Sequence, residues 1–178
     1  MIRLFVALSL PEIVRQHLAT LQGGVEGARW SSDEQLHLTL RFIGEVDEAQ
    51  ARDIDDALSG ISSPAFMLVL AGIGEFGGTK AHTLWAGIRP NGALMHLQRK
   101  IETALQRFGF EAAGRKFTPH VTLARLRGVS LSKVREFLSI HALFASLEFP
   151  VESFALYSSQ LTSDDPIYRV EQEYALTD

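Results

Sequence analysis

The chain has 178 residues, of which 46% are hydrophobic and 21% charged, as expected of a soluble globular protein that buries a substantial core. It contains no cysteine, which excludes disulfides, thiolate metal sites and cysteine nucleophiles. The apolar start at 4–8 is too short for a signal peptide, and no stretch approaches the roughly 20 apolar residues of a membrane span. We therefore expect a cytoplasmic protein.

The net charge of −4 argues against a protein that coats nucleic acid. Basic residues are nevertheless concentrated between residues 99 and 135, where they greatly outnumber the two glutamates. The basic residues of this zone are Arg99, Lys100, Arg107, Arg115, Lys116, Arg125, Arg127, Lys133 and Arg135. Such a zone suits a phosphate-bearing substrate, while solvated helix faces would also account for most of these side chains.

Segments with the alternating pattern of strands are interleaved with segments of helical spacing. Strands are predicted at about 2–8, 35–43, 65–73, 83–89, 117–126, 147–157 and 166–175. Helices are predicted at about 9–21, 47–58, 91–108 and 130–144. Ser9 is expected to cap the first helix, with Pro11 in its first turn, and Gly44 to end the second strand. Helices and hairpin-like strand pairs in similar number indicate an α+β fold with largely antiparallel sheets.

One four-residue phrase occurs twice, as His-Leu-Thr-Leu at 37–40 and His-Val-Thr-Leu at 120–123. Alternate residues of a strand share a face, so the apolar positions predict which face meets the core. Around the first copy these positions are Leu36, Leu38, Leu40 and Phe42. His37 and Thr39 then share the open face, as do His120 and Thr122. The repeat predicts one active site built by two half-domains, with residues 1–178 forming a single bilobal domain that carries one motif per lobe.

Two facing histidines provide an acid and a base in one cleft, because imidazole titrates near pH 6.5. A threonine hydroxyl two residues along each strand is close enough to bind an oxygen of the group under attack. Phosphoryl transfer proceeds roughly in line, which matches histidines on opposite sides of a phosphate. The pattern therefore favours phosphodiester cleavage, although the acid and base roles are interchangeable on sequence grounds.

Two other kinds of site receive little support from the sequence. Residues 72–77 have the glycine spacing of a dinucleotide-binding loop, but a strand is predicted to follow where that loop needs a helix. A hairpin, or a loop beside the active site, is favoured there. No pair of histidines has a recognisable metal-binding spacing, so neither a metal nor a cofactor is expected.

The phrases around both motifs resemble the two-histidine (2H) phosphoesterase superfamily, specifically the bacterial and archaeal RNA 2′,3′-cyclic phosphodiesterases, originally described as 2′-5′ RNA ligases. They are Arg-Leu-Phe-Val-Ala-Leu at 3–8, Ala-Arg-Trp at 28–30, Leu-Trp-Ala-Gly at 84–87, and the motif segments 36–46 and 117–125. The resemblance implies a bilobal α+β fold with two mainly antiparallel sheets facing across a central cleft and helices outside. It also implies metal-independent hydrolysis of a terminal 2′,3′-cyclic phosphate on RNA to a 2′-phosphomonoester.

The resemblance also suggests roles for the site residues. His37 would be the proton donor to the departing 3′ oxygen, His120 the proton acceptor that activates water, and the two motif threonines would hold phosphate oxygens. Arg125 matches a family arginine expected to touch the phosphate. In a regular strand Arg125 would instead point to the core, unless a bend or bulge follows Leu123.

Three further side chains near the first motif are weaker candidates. Arg41 has the parity of His37, so it is placed either on the cleft wall or in a surface salt bridge. Phe5 and Phe42 have the shape to stack a base, but core packing is favoured for both.

The residues leave other functions open. The motifs suit another 2H esterase acting on a cyclic mononucleotide, a 2′-5′ oligonucleotide or a cyclic ADP-ribose phosphate. A non-catalytic module that binds RNA or a 2′-phosphate is a third possibility, although binding alone needs no proton donor and acceptor together. We expect a monomer, since one chain completes the cleft.

Overall fold

The computed structural model describes residues 1–177, which form an α+β fold. The helices are α1 (Glu12–Leu21), α2 (Glu48–Ser59), α3 (Gly92–Arg107) and α4 (Leu131–Ile140). The strands are β1 (Ile2–Ser9), β2 (Ala28–Trp30), β3 (His37–Val46), β4 (Phe66–Leu68), β5 (Leu70–Phe76), β6 (Thr83–Ile88), β7 (His120–Leu126), β8 (Phe149–Val151), β9 (Ser153–Gln160) and β10 (Ile167–Ala175). Within this range, no helix is long and apolar enough to cross a membrane.

The strands form two antiparallel groups that meet edge to edge. The first group runs β10-β9-β1-β3 and the second runs β7-β6-β5, with β2 also paired to β7. The groups are joined between β3 and β7, where Leu38 pairs with Val121. Strands β4 and β8 make a separate two-stranded sheet. The predicted α+β fold with antiparallel sheets and outer helices is confirmed.

The two groups are interleaved along the chain rather than built from its two halves. Helices α2 and α3 pack together and cover the first group, although β5 and β6 of the second group lie between them in sequence. On the second group, Phe137 of α4 packs against Trp30 of β2 with ring centroids 5.6 Å apart. The chain therefore passes repeatedly between the groups.

Hydrophobic residues are buried on both faces of the long sheet. The larger cluster lies between the strands and the helices and includes Leu8, Leu38 and Leu97. A smaller cluster on the opposite face contains Phe5, Ala7, Ala155 and Tyr157. This second layer lies beneath the site described below.

Local signals predicted the starts of two helices well. Asp47 and Asn91 each accept a hydrogen bond from a first-turn backbone N–H, at 2.8 and 2.9 Å, and so cap α2 and α3. Two expectations were wrong. Ser9 ends β1 while Pro11 occupies the N-cap position of α1, and β3 continues through Gly44, whose φ of +101° glycine readily accepts.

The glycine spacing at 72–77 belongs to a hairpin, as predicted. These residues lie in β5 and the turn after it, and the antiparallel strand β6 follows. A Cβ on Gly74 would lie 2.2 Å from the ring of Trp85, so this glycine makes room for a tryptophan. Gly74 therefore serves sheet packing.

Candidate active site

The pairing of Leu38 with Val121 brings the two motifs together. Each residue stands between the histidine and the threonine of its own phrase. Because the strands run antiparallel, His37 comes to the side of Thr122 and Thr39 to the side of His120. Leu38 and Val121 are fully buried, which leaves the four polar residues on the opposite, open face.

Each motif strand has a bulge three residues after its histidine. The register between β1 and β3 skips Leu40, and the register between β6 and β7 skips Leu123. An extra residue reverses the alternation of faces. The fifth residue after each histidine therefore returns to the cleft face: Phe42 in β3 and Arg125 in β7.

The bulge in β7 is held by hydrogen bonds from Ser31 and Gln22, which lie outside the strand. The carbonyl of Leu123 accepts hydrogen bonds from the backbone N–H of Ser31 at 2.8 Å and from Nε2 of Gln22 at 3.2 Å. The Ser31 hydroxyl donates to the carbonyl of Thr122 at 2.9 Å. Arg125 then lies on the face of the motif residues and donates from Nη1 to Oγ1 of Thr83 at 3.1 Å.

The five residues predicted for the site all line one cleft of about 310 Å³. They are His37, Thr39, His120, Thr122 and Arg125. One end of this cleft carries Arg29, which stands opposite Arg125 in the β2–β7 pairing. Arg29 forms an ion pair with Asp165 at 2.9 Å and also donates to the carbonyl of Asp164. This contact links β2 to the β9–β10 loop across the cleft mouth.

His37 is held among aromatic rings. Phe5 stacks on it with centroids 5.0 Å apart, and Tyr168 meets it edge-on at 5.2 Å. Burial lowers the pKa of His37 from 6.5 to about 4, and the charge of His120 adds to this, while the nearby carbonyl of Gln35 opposes it. Nδ1 of His37 is buried and has no hydrogen bond of normal geometry among the described residues. Nε2 is therefore the nitrogen available to the cleft.

His120 has a defined tautomer. Its Nδ1 lies 2.8 Å from the carbonyl of Thr118, which only accepts, so Nδ1 carries the proton and Nε2 is free to accept one. Burial lowers the pKa of His120 and the charge of Arg125 lowers it further, against the effect of the Thr118 carbonyl. Phe76 contacts the ring edge-on at 4.9 Å.

The three weaker candidates near the first motif lie in three different environments. Phe42 was expected in the core, but the bulge at Leu40 turns it to the cleft, where it is 61% exposed. The same bulge turns Arg41 away from the cleft to the helix side, where Nε lies 3.2 Å from Oε2 of Glu102 in a largely buried ion pair. The expectation of a cleft-wall role for Arg41 is therefore wrong. Phe5 is buried, as favoured.

Four further side chains around the cleft were not predicted as site residues from the sequence. The rings of Phe76, Tyr157 and Tyr168 flank the histidines. Arg29 lines the same cleft, and none of the four belongs to the repeated phrase. Alternate residues of β5 and β10 face the cleft, and this pattern could have identified Phe76 and Tyr168. It could be used only once the order of strands in the sheet was known. Within residues 1–177, no group of three or more potential metal ligands occurs.

Two antiparallel strand groups that bring His-x-Thr phrases into one cleft define the two-histidine phosphoesterase class of fold and site. Comparison with known proteins agrees, since a sequence model described as 2′-5′ RNA ligase superfamily matches residues 10–162. The chain belongs to the 2′-5′ RNA ligase superfamily.

Relatives and solved structures match over most of the chain. A Thermotoga maritima protein named RNA 2′,3′-cyclic phosphodiesterase is 32% identical over 96% of this chain and 94% of its own length. An Aeropyrum pernix protein of the same name is 35% identical over 79% of this chain and 82% of its own. The crystal structure of E. coli LigT complexed with 3′-AMP has a TM-score of 0.83 at 28% identity, covering 99% of both chains.

Proposed function

We propose that this protein is an RNA 2′,3′-cyclic phosphodiesterase that opens a terminal 2′,3′-cyclic phosphate to a 2′-phosphomonoester. Relatives that carry this name match nearly the full chain. The observation that carries the proposal is the shared cleft lined by both His-x-Thr pairs and Arg125. The proposal treats residues 1–178 as one bilobal domain with one motif per lobe, acting as a cytoplasmic monomer.

In the proposed reaction, water attacks phosphorus and the bond to the 3′ oxygen breaks. His120 takes a proton from the water through Nε2, because its Nδ1–H is committed to the Thr118 carbonyl. His37 gives a proton to the departing 3′ oxygen, which leaves as a hydroxyl. The 2′ oxygen keeps the phosphate, so the product is a 2′-phosphomonoester.

The remaining cleft residues bind the non-bridging oxygens of the phosphate. Thr39 and Thr122 stand on the cleft face beside the opposing histidines and donate hydroxyl hydrogen bonds to these oxygens. Arg125 supplies a charged donor from the end of the same face. Its link to Thr83 fixes the guanidinium before the substrate arrives.

The bound phosphate favours the protonated histidine that the reaction needs as its acid. In the empty cleft both histidine pKa values are lowered, so both rings are mainly neutral at pH 7. A phosphate anion between the rings favours the charged form of each and raises its pKa. Substrate binding thus promotes protonation of one histidine when the reaction needs it.

The proposal is tested by incubating the protein with an RNA that ends in a 2′,3′-cyclic phosphate, in the presence of EDTA. We expect turnover to a 2′-phosphate with a free 3′ hydroxyl. Absence of turnover on this substrate would contradict the function. A 3′-phosphate product would reverse the leaving-group assignment, and loss of activity in EDTA would contradict the metal-independent mechanism.

A further inference from the structure

A second hollow, of about 600 Å³, borders the catalytic residues and does not include Arg29 in its lining. It shares Thr39, Phe42 and His120 with the first cleft. Its other wall is the segment 112–118, which connects α3 to β7, together with side chains of α3. The two hollows therefore adjoin at these shared residues and form the two ends of a path, with the exposed ring of Phe42 at their boundary.

The two ends of this path differ in charge. At the first end, Arg29 and Arg125 are offset by Asp164 and Asp165, and Arg29 is already paired. At the second end, Arg41 and Glu102 offset each other, which leaves Arg115 and Lys116 in excess. Among residues 1–177, neither of these two cations has an ion-pair partner or a side-chain hydrogen bond. Beyond the reacting phosphate, the rest of an RNA strand is therefore favoured at the second end and not at the first.

The segment that carries these cations is fixed to α3. Glu102 accepts a hydrogen bond through Oε1 from the backbone N–H of Ala113 at 2.7 Å. Arg41 donates to the carbonyl of Glu111, close to its ion pair with Glu102. The buried pair thus holds the segment from both sides. Arg115 and Lys116 follow directly after these anchored residues.

We propose that the second hollow is the exit path of the RNA strand, in which Arg115 and Lys116 hold the phosphate on the 5′ side of the terminal nucleotide. This inference rests on the proposed function, because it extends the same substrate beyond its reacting end. A cyclic mononucleotide lacks that phosphate and fills the catalytic cleft alone. The hollow therefore gives the protein a preference for oligonucleotides over mononucleotides.

The test compares kcat/KM for a trinucleotide ending in a 2′,3′-cyclic phosphate with kcat/KM for adenosine 2′,3′-cyclic monophosphate. In the double variant Arg115→Ala/Lys116→Ala, we expect the ratio of the two values to fall about tenfold. The matched control is Arg99→Ala/Arg107→Ala, which removes the same charge from residues of α3 that line a separate hollow and should leave the ratio unchanged. An unchanged ratio in the first variant, or an equal fall in both variants, overturns the inference.

A binding measurement separates this inference from the proposed function. A fluorescein-labelled RNA tetranucleotide ending in a 2′-phosphate is titrated with protein at several salt concentrations, and its anisotropy is followed. We expect Arg115→Ala/Lys116→Ala to weaken binding and to reduce the slope of log Kd against log salt by at least about 0.7. Unchanged affinity and slope overturn the exit path even if turnover is normal. Weaker binding without any turnover in the wild type leaves the path standing and removes the proposed function.

Discussion

Phe42 and Arg125 occupy equivalent positions in the two motif strands, each five residues after its histidine and each turned to the cleft by a bulge at the third. The similarity of the two motif strands thus continues beyond the four repeated residues, since both strands have a bulge at the same position. The side chains at the equivalent positions differ, however, and this breaks the symmetry of the cleft. Under the proposed function the guanidinium would bind a phosphate oxygen, while the exposed ring lies where the second hollow adjoins the cleft.

Arg125→Ala should lower kcat/KM on a 2′,3′-cyclic phosphate by roughly 10- to 100-fold, the usual effect of losing a charged hydrogen bond. Arg29→Ala provides the comparison, because Arg29 stands opposite but is paired with Asp165 at the exposed rim. Its loss should cost no more than about fivefold. Steady-state kinetics of both variants check this, and an Arg125→Ala enzyme within twofold of wild type would argue against a phosphate contact.

The pH profile of kcat/KM, which reports the free protein, should differ from that of kcat, which reports the complex with substrate. Burial lowers both histidine pKa values in the substrate-free cleft, so the fraction of the pair that holds one proton is already falling below pH 6.5 as the pH rises. kcat/KM reports the free enzyme and should therefore decline on its basic side from a pKa below 6.5. The kcat profile should lie at higher pH, because bound phosphate raises both values. A kcat/KM limb above pH 7 would contradict this account.

Gly74→Ala should destabilise the protein and slow catalysis together. The new Cβ would lie 2.2 Å from the Trp85 ring, which packs near His120 with centroids 6.4 Å apart. Overpacking of this kind costs about 1–3 kcal/mol, which corresponds to a fall in Tm of roughly 2–10 °C. The control is Gly92→Ala, where nothing lies within 4 Å of the added methyl and Tm should hold or rise. Equal melting temperatures for the two variants would exclude the steric argument.

The sequence predicted the motif faces because four of the residues obey regular alternation. His37, Thr39, His120 and Thr122 were placed correctly relative to Leu38 and Val121. Alternation failed at Arg41 and Phe42, because the bulge at Leu40 shifts the register of β3 against β1. A bulge depends on the partner strand and on contacts such as those of Ser31 and Gln22 with β7, so one strand's own pattern does not reveal it. The interleaving of the two strand groups was likewise not predicted, because it depends on which strands pair and not on the pattern within any one strand.

The central claim is that His37 and His120 act together as acid and base, and their substitution tests it most directly. kcat on a cyclic-phosphate RNA is measured for His37→Ala, His120→Ala and the double variant, with Tm recorded to confirm folding. We predict a loss of at least about 100-fold in each single variant, and a double variant little worse than the slower single. A folded single variant that retains more than about a tenth of the wild-type kcat would contradict the two-histidine mechanism.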